Sequence, residues 1–276
     1  MLNKRFPEKR AFITGGASGL GLAYAKKLAR NNWRVAIADI NEQRLEEAKL
    51  ELEALGATVI TLVVDVTSKE QQQDAADQLE QVWGGVDLVF NNAGIGSCGK
   101  LNEHDDEEWH RVINIDLWSV IHGCRIFAPL LKRTGGGHII NTASSAGTLC
   151  LAEMAGYNVA KSGVVALSET LNVELSTDNI GVTVVCPTVL KTNIGESLKG
   201  ETNFEKNIAQ QINESKFTPE MVADKTFEGI LKNKLYVMPQ NDARWVWTIK
   251  RWMPEKFTKL MTYLYKNRKW IYSHLD

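Results

Sequence analysis

The chain has 276 residues, 44% hydrophobic and 24% charged, enough for one large α/β unit with a substantial core and too short for two comfortable ones. Its formal net charge of −1 gives no electrostatic reason to bind nucleic acid. No apolar run is long enough to span a membrane, and the polar stretch 1–10 has no signal-peptide core, so a cytoplasmic protein is expected.

Short apolar runs alternate with longer amphipathic stretches. In chain order the pattern predicts a strand over 10–14, a helix over 20–30, a strand over 34–39 and a charged helix over 42–55 ended by Gly56. A strand over 58–64, a helix over 69–83 stopped by Gly84 and Gly85, and a strand over 86–90 follow. Then come a long helix over 105–132, a strand over 138–142, a long helix over 157–176 and a strand over 181–186. A helix over 219–232, with Thr218 placed to cap it, and a short strand over 235–238 complete the series. Strands separated by helices require crossover connections. The expected architecture is therefore a doubly wound α/β fold, a parallel sheet of about seven strands of the Rossmann type. Residues 1–240 would form this unit, and 241–276 a helical C-terminal extension.

Ligands of such sheets bind at the carboxyl ends of the strands. After the first strand comes Thr14-Gly15-Gly16-Ala17-Ser18-Gly19-Leu20-Gly21, opening the first helix. Glycines there permit a tight turn and bring a pyrophosphate to the free N–H groups of a helix start. The second strand ends in Asp39, whose carboxylate could accept from both hydroxyls of an adenosine ribose and would repel a 2′-phosphate. No Arg or Lys stands at 16–18 or 40–41, so NAD is the expected cofactor rather than NADP. Asp65 and Val66 could face the adenine, and Asn91-Asn92-Ala93-Gly94 follows the fourth strand. After the fifth strand stands Ser144; thirteen residues on is Tyr157, with Lys161 four residues later on the same helical face. Tyr265 and Lys269 share the latter spacing, but Trp252 stands thirteen residues before Tyr265, so that pair has no hydroxyl partner.

Cys98, Cys124, Cys150 and Cys186 are not spaced as metal ligands, and the five histidines form no cluster, so no metal is expected. Over about residues 8–240 the chain resembles the short-chain dehydrogenase/reductase family. The resemblance is carried by the 14–21 turn, Asp39, Asn91 to Gly94, Asn114, Ser144, Tyr157, Lys161, Pro187 and Thr192, in order and in register. It implies Tyr157 as acid/base, Lys161 as its partner and as a holder of the nicotinamide ribose, and Ser144 on the substrate oxygen. It also implies Asn114 as holder of a water that links Lys161 to solvent. The cofactor contacts expected are Gly15, Ser18, Gly19, Leu20, Gly21, Asp39, Asp65, Val66, Asn92, Ala93, Gly94, Tyr157, Lys161, Pro187 and Thr192. The family usually has Pro-Gly after strand six, where this chain has Pro187-Thr188.

The expected activity is NAD(H)-dependent interconversion of an alcohol and its carbonyl. The alternative is a dinucleotide-binding regulatory or scaffold protein, against which the intact Asn114, Ser144, Tyr157 and Lys161 speak. Small and apolar residues in the two long helices (Val120, Ile121, Ala160, Val164, Val165, Ala166, Leu167) suggest a homodimer or homotetramer, as the resemblance also implies. The segment 193–217 is expected to close over the substrate, but its many charges show no pocket. The tail interleaves Trp245, Trp247, Trp252, Phe257, Tyr263, Tyr265, Trp270 and Tyr272 with Lys and Arg, and Pro254 divides it into two helices. Two readings follow: the rings pack on the fold or a neighbouring subunit, or the helices lie on a membrane surface and serve a hydrophobic alcohol.

Overall fold

The computed structural model describes residues 2–198 and 202–269. Trp270, Tyr272, His274, Lys199 and Glu201 lie outside the described residues. The strands are β1 (Arg10–Thr14), β2 (Arg34–Asp39), β3 (Thr58–Val63), β4 (Leu88–Asn91), β5 (Gly137–Thr142), β6 (Ile180–Val185) and β7 (Tyr236–Val237). They form one sheet in the order β3-β2-β1-β4-β5-β6-β7, every pairing parallel. This is the doubly wound Rossmann arrangement, with the order reversing between β1 and β4.

Besides the one-turn helices Leu2–Arg5 and Ala146–Leu149, the helices are α1 (Gly19–Ala29), α2 (Glu42–Ala54), α3 (Lys69–Trp83), α4 (Asp106–Ile113), α5 (Ser119–Arg133), α6 (Ala155–Glu174), α7 (Asn203–Glu214), α8 (Pro219–Leu231), α9 (Asn241–Trp252) and α10 (Pro254–Lys266). Successive strand residues point to opposite faces. Ile13 joins a core with Tyr24, Leu28 and Phe227 beneath α1 and α8. Phe12 joins the opposite core with Leu79, Phe127 and Val164 beneath α3, α5 and α6. Phe12 stacks on Phe127 at 4.7 Å between centroids, and both are fully buried. Side chains of this size contribute roughly 1.5–3 kcal/mol each by leaving water.

Two segments depart from the sequence pattern. The helix expected over 105–132 is divided: α4 and α5 are joined by one wide turn, Asn114–Trp118, in which the Ser119 N–H reaches back to the Asn114 carbonyl. The segment 193–217 is not an open polar loop but a short helical turn, Asn193–Ser197, followed by α7. Thr202 and Glu205 cap α7 reciprocally, and Phe204 and Ile212 are buried on its inner face. The wheel places Phe204, Ile208 and Ile212 four residues apart on one side, a pattern that the intervening charges obscure in the sequence. In the two long helices, Val120, Ala160 and Val164 face the chain's own core, while Trp118, Val159 and Val173 remain on the surface.

A titratable group is sealed beneath the amino-terminal edge. His138 on β5 is fully buried; its Nε2 lies 2.7 Å from Thr183 Oγ1 and its Nδ1 3.3 Å from Arg5 Nη2. The guanidinium can only donate, so Nδ1 accepts and the ring is neutral. Burial, with the Arg5 charge adding to it, pushes the imidazole down to about 3. The folded chain therefore refuses a proton that the unfolded chain accepts below about pH 6.5. This contribution to stability is fully present above that pH and is lost as pH falls toward 3, at up to about 1.4 kcal/mol per pH unit. Urea unfolding of His138→Gln at pH 7, 6 and 5 is expected to give a flatter decline than the parent; an unchanged slope would show that His138 is not buried neutral.

Candidate active site

The carboxyl ends of the strands open into one cleft of about 990 Å³. Of the residues singled out in the sequence, Gly15, Ser18, Gly19, Leu20, Asp39, Asp65, Val66, Asn92, Ala93, Gly94, Ser144, Tyr157, Lys161, Pro187 and Thr192 all line it. Gly21 lies beneath the turn, and Asn114 is exposed elsewhere.

The glycine turn is built for close approach. A Cβ on Gly21 would stand 2.1 Å from the Gly15 carbonyl oxygen, and Gly15 itself has φ +61° with the Ala93 backbone against it. Ser18 caps α1 without a side-chain hydrogen bond, so the first N–H groups of the helix are left without a side-chain cap, and Ser18, Gly19 and Leu20 line the cleft. This cradle fits a phosphate group. Thr14 and Asn92 lock the neighbouring loops. Thr14 Oγ1 accepts from the backbone of Asn92 (2.9 Å) and Ala93 (3.1 Å), and Asn92 Nδ2 donates to the Thr14 carbonyl at 3.1 Å.

Asp39 accepts from the backbone N–H groups of Ala17 at 3.3 Å and Asn41 at 3.1 Å, which fixes its carboxylate at the cleft wall. Asn41 takes the cap of α2, as its side chain accepts from Arg44 N–H. Arg44 also reaches the cleft, a cation that the stretch 40–41 does not reveal, but Glu196 pairs with it at 3.0 Å. Asp65 spends one oxygen on the Thr67 N–H and hydroxyl.

The catalytic candidates meet where β5, α6 and the wide turn converge. Ser144 Oγ accepts from the Ala146 N–H at 3.1 Å and donates to the Pro187 carbonyl at 3.5 Å. Lys161 Nζ stands 5.6 Å from the Tyr157 ring centre and donates to the Thr142 carbonyl at 3.3 Å. Its charge is met by Asp116, not by any group on Asn114. Asp116 Oδ1 lies 3.1 Å from Lys161 Nζ and accepts the Ile95 N–H at 3.0 Å; both side chains are buried. Asn114 and Asp116 are about 200° apart around a regular helix, so only one can face Lys161, and the wide turn directs Asp116 inward. Asp116 Oδ2 is buried without a protein partner among the described residues. Burial, reinforced by the Asp116 charge, holds the Tyr157 phenol above its ordinary range, while the Ser144 hydroxyl opposes this.

Most of the remaining cleft lining is apolar, with Asn193, Ser197, Gln211 and Asp242 as polar members. Cys98, Met154, Leu198, Phe204 and Ile208 pack together along it, and Leu149, Leu151 and Ile212 line it as well. Ala243 and Val246 of α9 close a further wall. Thr188 borders the cleft beside Pro187, and its N–H donates to the buried Gln240 at 3.1 Å. Burial pushes the Cys98 thiol up to about 12, so it is a neutral wall residue and not a thiolate nucleophile. No cluster of His, Cys, Asp and Glu suited to a metal occurs among the described residues.

A family model described as short chain dehydrogenase matches residues 9–203. The chain is 33% identical over 256 residues to the C alpha-dehydrogenase of Sphingobium sp., covering 87% of this chain and 83% of that protein. It is 33% identical over 193 residues to the cyclohexanol dehydrogenase of Acinetobacter sp., covering 70% of this chain and 77% of that protein. Among solved structures, a short chain dehydrogenase/reductase from Burkholderia phymatum in complex with NAD superimposes with a TM-score of 0.85 at 32% identity, over 89% of this chain and 94% of that one. Other solved structures of the same fold carry 5-hydroxy-NADP or NADPH.

The Asp116–Lys161 pair yields a stability test. Asp116→Ala leaves a buried ammonium with the Thr142 carbonyl as its remaining acceptor, and a loss of about 3–5 kcal/mol in urea unfolding is expected. A loss no larger than that of an ordinary surface substitution would mean that the two charges are not paired.

Proposed function

The chain belongs to the short-chain dehydrogenase family, and we propose that it is an NAD(H)-dependent oxidoreductase that interconverts a hydrophobic alcohol and its carbonyl. The observation that carries this reading is the convergence of Ser144, Tyr157 and Lys161 on one cleft between the glycine turn and an apolar pocket. When bound, the oxidised nicotinamide supplies the hydride acceptor and a positive charge.

Tyr157 removes the hydroxyl proton of the alcohol, or returns it to the carbonyl in the reverse direction. An ordinary phenol, with a pKa of about 10, is too weakly acidic to act as a base at neutral pH. Here burial and Asp116 push it further up, so cationic charge at the site must stabilise the phenolate. Lys161 provides that charge, 5.6 Å from the ring centre, and Asp116 holds the ammonium in place. Ser144 orients the substrate oxygen by hydrogen bonding. The glycine turn with Ser18 and Leu20 takes the pyrophosphate, Asp39 the adenosine ribose, Val66 and Asp65 the adenine side, and Asn92, Ala93, Gly94, Pro187 and Thr192 the remainder. The apolar wall formed by Leu149, Met154, Phe204 and Val246 favours a hydrophobic substrate over a sugar or a small acid.

We further propose a homo-oligomer in which the outward faces of α5 and α6, with Trp118, Val159 and Val173, meet those of a second copy. The large apolar side chains of Trp118 in the wide turn and of Val159 and Val173 on α6, all left exposed, support this.

Tyr157→Phe removes the proton carrier but little volume. Turnover should fall below detection across the pH range, while dinucleotide binding, followed by quenching of protein fluorescence, stays near that of the parent. Substantial residual turnover would refute the assignment.

Cofactor choice rests on Asp39. The parent is expected to show a higher kcat/KM with NAD(H) than with NADP(H), and Asp39→Ala to narrow the gap. Equal values in the parent would count against NAD, and would direct attention to Arg44 released from Glu196.

A further inference from the structure

The tail helices α9 and α10 each have two faces, and only one is used by the fold. On the inner side Ala243 and Phe257 are buried, and the Trp247 ring lies 4.9 Å from that of Tyr236. Lys250 Nζ donates to the carbonyls of Thr148 and Leu149 at 2.8 and 3.0 Å, and the Tyr265 hydroxyl donates to Glu153 at 2.8 Å. The tail is therefore anchored on the segment between Ser144 and Tyr157.

The outer side carries large apolar groups in addition. Trp245, Ile249 and Trp252 are 66, 48 and 83% exposed, and their spacing of four and three residues makes one stripe along α9. On α10, Leu260 and Tyr263 are each 52% exposed. Side chains of this size left in water, next to a face that is already packed, mark an interaction surface. Its charge identifies the partner. Residues 241–269 hold eight Lys and Arg against two acids, in a chain whose formal net charge is −1, so a cationic tail sits on an otherwise anionic protein. Lys256 and Lys259 are exposed beside Leu260.

We propose that this outer face binds the surface of an anionic lipid bilayer, with the indoles of Trp245 and Trp252 at headgroup depth and the lysines against acidic headgroups. A second copy of the chain is the poorer partner: a two-fold pairing would set two such cationic faces against each other. The position of the surface gives it a use. Ala243 and Val246 border the substrate cleft while Trp245 and Ile249 of the same helix face outward, so one helix separates the pocket from the lipid. An apolar alcohol dissolved in the bilayer would meet the enzyme at the mouth of its pocket. That consequence rests on the function proposed above; the binding itself does not.

The test is co-sedimentation of the full chain with vesicles of phosphatidylcholine alone or with about 30% phosphatidylglycerol, without substrate or dinucleotide. Binding to the anionic vesicles at about 50 mM salt and its loss at about 500 mM are expected, with little binding to the neutral ones. The pair Trp245→Ser and Trp252→Ser, and separately the pair Lys256→Glu and Lys259→Glu, should each lower partitioning by about tenfold or more. These side chains lie outside the core and the cleft, so circular dichroism and urea unfolding report that the variants stay folded. The proposal is overturned if the parent ignores anionic vesicles at low salt, or if neither pair of substitutions weakens binding. It is equally overturned if the tryptophan pair converts an oligomer to a smaller species in sedimentation velocity, which assigns the face to a second copy. Because no turnover is measured, an inactive enzyme that binds vesicles would refute the proposed activity and leave this inference standing.

Discussion

The carboxyl edge of this sheet is organised around one buried ammonium. Lys161 enters from α6 and is almost wholly removed from water, a position that a lysine occupies only if its charge is answered. Asp116 supplies the opposite charge and Thr142 a carbonyl, so three separate elements must meet at that nitrogen. The wide turn between α4 and α5 brings Asp116 to this point, and the Ile95 N–H holds the carboxylate from the strand side. Gly94 leaves the room, since a Cβ there would lie 2.6 Å from Asp116 Oδ1 and 3.2 Å from the ammonium.

From Thr142 the order continues across the sheet. Its hydroxyl donates to Asn92, whose amide holds the Thr14 carbonyl at the start of the glycine turn. The acid/base region and the phosphate cradle are thus joined by short polar contacts between loops that follow β1, β4 and β5. Side chains locked in this way give a site fixed geometry on a rigid scaffold, which both orientation and charge stabilisation require. Deeper in the sheet, Asn91, Asn141 and Ser168 repeat the device, each amide donating to the next acceptor in a fully buried chain. Such polar groups avoid the cost of burial because they are hydrogen-bonded to one another.

The apolar half of the cleft depends on parts of the chain that follow the sixth strand. Alpha-helical residues Phe204, Ile208 and Ile212 form one wall and α9 another, while Met261, Leu264 and Tyr265 of α10 pack behind the first. The tail therefore shapes the pocket from outside as well as offering a surface of its own. Packing divides the rings of the tail between two faces of the same helices: Trp247 and Phe257 pack inward, whereas Trp245 and Trp252 are exposed.

The sequence by itself determined the alternation of strands and helices, the glycine turn, Asp39 at the end of β2, and Tyr157 with Lys161 on one face of α6. Each of these follows from local rules: strand and helix periodicity, the conformational freedom of glycine, and the i, i+4 spacing of a helix. Tertiary structure decided what local rules leave open. Asn114 and Asp116 are both polar residues in the same helical stretch, and which of them meets Lys161 depends on a wide turn whose extra residue rotates everything after it. The inner face of α7 was hidden because its apolar residues lie four apart among charges, and a narrow stripe of that kind acquires meaning only when a pocket faces it. Arg44 and Glu196, 152 residues apart in the chain, meet at the cleft rim for the same reason. Periodicity tells which side of an element is apolar, but the register between elements is set by how their side chains interlock, and that is fixed only once the whole chain has folded.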